Sequence, residues 1–399
     1  MRGRGVPAPF EVRPYDPASA GGHVDDNPGR FRASLSGERR VALWPGVARL
    51  ESVVRASGIA NPPAGSLSRG RQRPPGAGRP DGGAFGPAGG GERDGGPVFD
   101  QPVEPGGYAW WYVDALSDDG RHGLAIIALI GSVFSPYYAW SGRRDPLNHC
   151  AVNVALYGPR GNRWAMTERG RSAVFRGRHE LAIGSSALSW DGTGLTIRID
   201  EVAIPLPSRI RGTIRIEPTG LNSESFSLDA AGRHLWRPIA PYARVSAKFD
   251  APDLRWSGDG YFDMNAGCEP LETGFVDWTW SRAALSRGSA ILYDARRRQE
   301  GSVSLALRFD KSGECERLKP PPIAQLPTTR WRLARQTRSD DGRAEVSRSF
   351  EDTPFYARSR ISAKLFGENV VAVHESLSLD RFANPMIRLM LPFRMPRRG

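Results

Sequence analysis

From Val98 to the C terminus the chain is written in short runs of β-forming residues, with no long helical pattern between them. YAWWYVDAL, GLAIIALIGSVF, CAVNVALYG, GLTIRIDEV, RGTIRIEP, ARVSAKFD, SAILYDARRR and SVSLALRFD succeed one another. Gly, Pro, Asn or Asp punctuates them at intervals of about 8 to 12 residues, the spacing of a sandwich or barrel. A parallel sheet needs crossover helices, so this texture predicts an all-β fold. Hairpin turns are expected at Asp119-Gly120, Asp191-Gly192 and Asp259-Gly260, where positive φ is needed. The helical elements expected are short: 382–391, in FANPMIRLML, and a turn near 281–286.

Residues 1–96 read differently. GSLSRGRQRPPGAGRPDGGAFGPAGGGERDGG is Gly, Pro and Arg in low-complexity order, too poor in apolar surface to offset chain entropy, so a disordered extension is expected. Within it VARLESVVRA, 47–56, has helical spacing but is confined by Pro45 and Gly58. The remainder is long for one sheet. Two barrel-like halves are expected, 97–243 and 244–399, parting near RPIAPYARV.

Several chemistries lack their residues. The three Cys, Cys150, Cys268 and Cys315, form no C-x-x-C pair and have no His at ligand spacing, which argues against a disulfide scaffold or a zinc site. There is no phosphate-binding loop between strand and helix, no G-x-S-x-G and no H-E-x-x-H. The net charge of +12 suits nucleic acid or anionic lipid. RNA-binding aromatic motifs are missing, so nucleic acid is not the expected partner. The longest apolar run, Leu124 to Ile130 and loosely to Phe134, is far short of a membrane span, and the N terminus lacks the apolar region of a secretory signal.

Three aromatic and polar clusters are candidates for a site. The first is Trp110, Trp111 and Tyr112 with Asp114; the second is Tyr137, Tyr138 and Trp140, followed by Asn148, His149 and Asn153. The third is GYFDMNAGCEPLE, with Tyr261, Asp263, Asn265 and Glu269, followed by Trp278 and Trp280. Strand alternation would set Tyr261, Asp263 and Asn265 on one face and Phe262 and Met264 on the other. An inward carboxyl tends to keep its proton, but Asp263 facing solvent or capping a turn fits the sequence equally well. A lone His149 is more often structural than basic, and tryptophans by default pack a core.

The stretch VFDQPVEPGGYAWWYVDALSDDGRHGLAIIALIGSVFSPYYAW through DPLNHCAVNVALYG resembles the bacterial carotenoid 1,2-hydratase (hydroxyneurosporene synthase) family. So do MTERGR, LDAAGRHLWRPIAP, GYFDMNAG, LYDARRR, EDTPFYARS, VHESLSLDRF and LPFRMPRR, so that the likeness runs from about residue 97 to the end. The resemblance implies two lipocalin-like β-barrels. It also implies hydration of the terminal 1,2 double bond of acyclic carotenes such as neurosporene or lycopene, with no redox cofactor or metal. GYFDMNAG resembles the family element Gly-Tyr-x-Asp-x-Asn-x-Gly, which gives Asp263 the role of catalytic acid. Cys268 stands where an acidic residue is expected, leaving Glu269 and Glu272 as candidate helper carboxylates.

On that reading Asp263 protonates carbon 2, and aromatic faces shield the cation at carbon 1. Trp110, Trp111, Tyr112, Tyr137, Tyr138, Trp140, Tyr261, Trp278 and Trp280 are the expected lining. His149 is the expected base for water, with Asn148 and Asn153 as positioning amides; Asn265 and Glu269 orient the acid. The expected partners are an acyclic carotene, water and membrane lipid, the last through basic patches and FANPMIRLMLPFRMPRR. The expected location is peripheral, on the cytoplasmic side of the inner photosynthetic membrane. The rival is a lipocalin-like carrier that binds a terpenoid unchanged.

Overall fold

A computed structural model describes residues 95–299 and 301–398. The expectations for residues 1–94, disorder and a short helix, lie outside the described residues. The rest is all-β, as expected.

Among the described residues twelve strands come first: β1 (Tyr108–Ser117), β2 (Gly123–Ile130), β3 (Cys150–Tyr157), β4 (Arg163–Arg169), β5 (Val174–Arg176), β6 (Glu180–Ile183), β7 (Ser186–Trp190), β8 (Leu195–Val202), β9 (Arg209–Pro218), β10 (Phe226–Ser227), β11 (His234–Ala251) and β12 (Asp253–Gly267). A second group follows: β13 (Phe275–Leu285), β14 (Gly288–Arg297), β15 (Ser302–Asp310) and β16 (Cys315–Arg317), the hairpin β17 (Ile323–Leu326) and β18 (Arg335–Arg338), then β19 (Ala344–Asp352), β20 (Tyr356–Leu365) and β21 (Glu368–Ser378). Short helices α1 (Pro136–Trp140), α2 (Leu271–Gly274), α3 (Leu379–Ala383) and α4 (Pro385–Met390) link or end these runs, and β22 (Arg397–Arg398) returns to pair with β4.

The first sheet has the order β22-β4-β3-β2-β1-β12-β11-β9-β8-β7-β6-β5, with β10 beside β11. It curls until β4 meets the end of β8: Ile204 N donates to Trp164 O at 2.9 Å, and Arg169 pairs with Glu201 at 3.3 Å. The second sheet runs β16-β15-β14-β13-β21-β20-β19. Its inner face is covered by the β17–β18 hairpin, through Ser281 to Thr337 at 3.1 Å and Arg335 to Ser359 at 2.8 Å.

Alternation gives each central strand two buried faces, and these feed different cores. On β1, Trp111, Val113 and Ala115 join Ile126, Ile197, Ile214 and Phe262 inside the first curl. Tyr108, Trp110 and Tyr112 face the other way and meet Trp278, Trp280, Tyr293 and Leu377 of the second sheet. A third cluster, with Ala283, Leu292 and Ile361, fills the second curl. Burying each Leu, Ile or Phe in such cores contributes about 1.5–3 kcal/mol.

Two of the three expected turns form, with Gly120 at φ +65° and Gly192 at φ +91°. The third does not: Asp259-Gly260 lies inside β12, where Gly260 is needed because a Cβ would collide with Val245. Residues 281–285, expected as a helical turn, are the end of β13, paired on both sides. The helix expected over 382–391 is broken at Asn384-Pro385, since proline lacks the N–H that would continue it. Asn384 ends α3 and its side chain caps α4, accepting from Met386 N at 2.9 Å. The division expected at residue 243 falls within β11, whose pairing with β12 is bulged between Pro238 and Ala243 and resumes beyond it; the two sheets part between Gly267 and Phe275.

Candidate active site

β12 sets Tyr261, Asp263 and Asn265 on the face turned to the second sheet, with Phe262 in the opposite core. Asp263 is paired in register with Tyr112 on β1, and Asn265 with both Trp110 and Trp236. Directly opposed residues share a face, so this register gathers aromatic side chains around one carboxyl.

Asp263 is 4% exposed. Its Oδ2 accepts two hydrogen bonds, from Trp236 Nε1 and from Tyr261 OH, each at 2.8 Å, while Asn265 Nδ2 lies 3.4 Å from Oδ1. Trp280 from β13 packs with its centroid 5.2 Å from the ring of Tyr261 and 5.6 Å from that of Tyr112. Tyr293 from β14 lies 5.3 Å from Trp236. Burial in this wall pushes the Asp263 carboxyl up to about 8; the hydrogen bonds from Trp236 and Tyr261 pull it down, and the nearby Glu375 and Asp114 push it further up. Near neutral pH the group is mostly a carboxylic acid. With Oδ2 taken by two donors, Oδ1 is the oxygen left to carry the proton.

A network of buried charge adjoins it. Tyr112 OH lies 2.9 Å from both Asp114 and Glu375 and can donate its one proton to either; Asp114 also accepts from Arg282 Nε at 2.9 Å, and Glu375 pairs with Arg358. Burial raises the pKa of Asp114 and of Glu375, and the facing arginine opposes it in each case. At the strand-end side, His234 joins Tyr108 OH at 2.9 Å and Glu269 at 3.2 Å. Tyr108 stacks on Trp110 at 4.8 Å.

Of the expected lining, Trp110, Tyr112, Tyr261, Trp278 and Trp280 share this apolar cluster between the sheets. Trp111 does not, because one residue along β1 reverses the face; its ring meets Phe99 at 5.0 Å in the first core. Tyr137 and Trp140 sit on α1, their rings 5.8 Å apart and Trp140 53% exposed, while Tyr138 OH donates to Gly107 O at 2.8 Å.

The structure does not bring His149 to Asp263. Its Nδ1 lies 2.8 Å from Glu168 and 3.0 Å from Arg397. It precedes β3, three strands from β12, a lateral separation of roughly 14 Å. Asn153 shares the cross-strand row of Asp263 but at the same three-strand remove, and donates to Met166 Sδ at 3.7 Å. Asn148 accepts from Arg171 N at 3.3 Å. Glu269 is held by His234 and by Arg233 at 3.5 Å, and Glu272 by Arg143 and Arg388 at 2.5 Å each.

The site residues absent from the sequence reading are Trp236, His234, Tyr293, Glu375, Arg358 and Arg282. Their signal was present but faint: a lone Arg within the apolar run of β13, and His234 and Trp236 two apart at the start of β11; β20 holds Arg358, Arg360 and Lys364, so nothing in its sequence singles out Arg358.

Two shallow clefts lie near the strand ends, one between Tyr108, Tyr138, Arg143 and Leu271 with no room for a water molecule, the other of about 40 Å³ between Asp229, Glu269 and Thr273; Asp263 lines neither. Among the described residues no cluster of three or more His, Cys, Asp or Glu is arranged to hold a metal ion, and no helix is long and apolar enough to cross a membrane.

A family model for carotenoid hydratase CrtC matches residues 126–399, the span that contains Asp263. The chain is similar along its whole length to the acyclic carotenoid 1,2-hydratases of Thiocapsa roseopersicina, at 52% identity, and Rubrivivax gelatinosus, at 49%, covering 100% of each protein. That of Cereibacter sphaeroides is 42% identical over 68% of this chain and 98% of its own. A family model spanning more than half of the chain, with relatives this similar end to end, establishes that the chain belongs to the carotenoid hydratase CrtC family.

Proposed function

We propose that this protein adds water to the terminal 1,2 double bond of an acyclic carotene such as neurosporene or lycopene. The observation that carries the reading is Asp263: a carboxyl held protonated by burial, with both strong hydrogen bonds on one oxygen. The relatives named for this reaction support the substrate class.

An isolated trisubstituted alkene is weakly basic, so its protonation needs a positioned acid and a medium in which charge is not already quenched by water. Asp263 Oδ1 gives its proton to carbon 2; the π pair forms the new C–H bond and leaves a tertiary cation at carbon 1. The faces of Trp280, Tyr261 and Tyr112 stabilise that cation by about 0.5–2 kcal/mol each, and the new Asp263 carboxylate sits beside it. Water adds its lone pair to carbon 1, and the proton it sheds returns to Asp263, which closes the cycle with no net change in the enzyme. Trp280 Nε1 is a buried donor without a hydrogen-bond partner among the described residues, available to hold that water. This replaces His149 as the proton acceptor, because carbons 1 and 2 are bonded neighbours and one base must reach the same place as the acid.

The substrate is water-insoluble, so delivery from membrane lipid and peripheral contact with a bilayer belong to the same reading. Because Asp263 is 4% exposed, entry of a polyene requires side chains between the sheets to part. The test is incubation of purified protein with neurosporene or lycopene in lipid, with no added cofactor. A 1-hydroxy product is expected, lost in Asp263→Asn. Tight binding without product would instead make the protein a terpenoid carrier.

A further inference from the structure

Among the described residues the exposed large apolar side chains are unevenly spread. Met386 at 69%, Leu389 at 58%, Met390 at 52% and Phe393 at 82% fall within eight residues of α4 and the turn after it. The opposite side of the same segment is anchored: Phe382, Leu391 and Met395 are buried in the cluster that also holds Trp236 and Tyr261. The segment therefore spans from the intersheet core to an outward apolar face.

Its charge is one-sided. Residues 384–398 contain Arg388, Arg394, Arg397 and Arg398 and no Asp or Glu. Arg388 and Arg397 are paired with Glu272 and Glu168; Arg398 is exposed, and Arg394, exposed along part of its length, rests its guanidinium 4.5 Å over Trp164, where burial lowers its pKa and the Glu351 carboxylate opposes the shift. Arg381 extends the patch by donating at 2.8 Å to the carbonyl oxygens of Trp331 and Arg332, which fixes beside α3 a loop whose Trp331 is 51% exposed.

We propose that the outward face of residues 386–393, flanked by Arg394 and Arg398, is the surface on which the protein seats on an anionic lipid bilayer. An apolar strip a few ångströms deep with arginines at its margin matches the headgroup boundary, where apolar side chains enter the acyl region and cations meet lipid phosphates. The four side chains expose on the order of 500 Å², short of the roughly 800 Å² that each partner of a stable protein complex buries. A bilayer sets no such minimum. The choice of lipid as the occupant rests on the hydratase reading, since a carotene reaches the intersheet core from lipid. The surface itself is seen without it.

The test is flotation of the full-length protein with carotene-free vesicles of phosphatidylcholine, with and without phosphatidylglycerol. Wild type is expected to float with the anionic vesicles. Leu389→Ser with Phe393→Ser should lower partitioning by about 10²-fold or more on them, from the loss of two inserted side chains. Arg394→Gln with Arg398→Gln should lower it about fivefold per arginine on the anionic vesicles and leave weak binding to neutral ones unchanged. Circular dichroism and the unfolding midpoint check that both variants fold. Variants that float like wild type, a wild type that floats with no vesicle, or a serine variant that only dissociates a dimer in light scattering would each overturn the proposal. Because no carotene is present, the outcome stands apart from whether the protein hydrates one.

Discussion

Asp263→Asn separates the acid's chemistry from its cost to the fold. The unfolded carboxyl titrates near 3.8 and the folded one at about 8, raised by burial. Between those values the folded protein holds a proton that the unfolded chain releases. Wild-type stability from this group is therefore complete below about pH 4 and is lost as pH rises through about 8, at roughly 1.4 kcal/mol per pH unit. The amide of the variant does not titrate, yet it keeps an oxygen to accept from Trp236 and Tyr261, whose 2.8 Å hydrogen bonds reach a single atom. Denaturant unfolding of both proteins at pH 5, 6, 7 and 8 should thus show the variant gaining on wild type by roughly 4 kcal/mol across the series. Terms shared by the two proteins cancel in that difference. Turnover of the variant should fall by 10²-fold or more throughout, since a general acid alone is worth about 10² to 10⁴, while wild-type turnover declines above about pH 8. A stability difference that does not change with pH would mean that Asp263 is already ionised in the folded protein, and the proposed protonation step would have no donor.

Other substitutions address the neighbours. Trp236→Phe removes a donor that favours the ionised form, so the alkaline limb of turnover should move to higher pH; a limb that stays or moves down contradicts the assigned hydrogen bond. Trp280→Leu should lower kcat by more than about 2- to 30-fold, the worth of one cation–π contact, because it also removes the Nε1 donor proposed to hold the water; an effect confined to KM would make that ring a binding wall only. Glu375→Gln strands Arg358, which is 1% exposed, and should cost about 3–5 kcal/mol in denaturant unfolding; an unchanged midpoint would show the pair to be solvated. His149→Ala should destabilise by about 1–3 kcal/mol through its lost contact with Glu168 while turnover per folded molecule stays within a few-fold of wild type. A loss as deep as that of Asp263→Asn would return His149 to the reaction.

Alternation along a strand is a local property, and the sequence alone was enough to determine the all-β class, the faces of GYFDMNAG, and the pairing of Trp278 with Trp280 on one side. It equally determined that Trp110 and Trp111 must face opposite ways, although both were expected in the lining. What the sequence could not determine is which strands become neighbours. β12 pairs with β1 across roughly 150 residues of chain, and only that pairing puts Tyr112 beside Asp263. The same topology leaves His149 three strands away despite its place in a motif as conspicuous as any other. Nor could alternation say what covers a face: the outer face of the first sheet is closed by β13, β14, β20 and β21, which bring Trp280, Tyr293, Arg358 and Glu375 to it. Tertiary packing decided that Asp263 is dry, and a carboxyl's proton affinity depends on its surroundings more than on its identity.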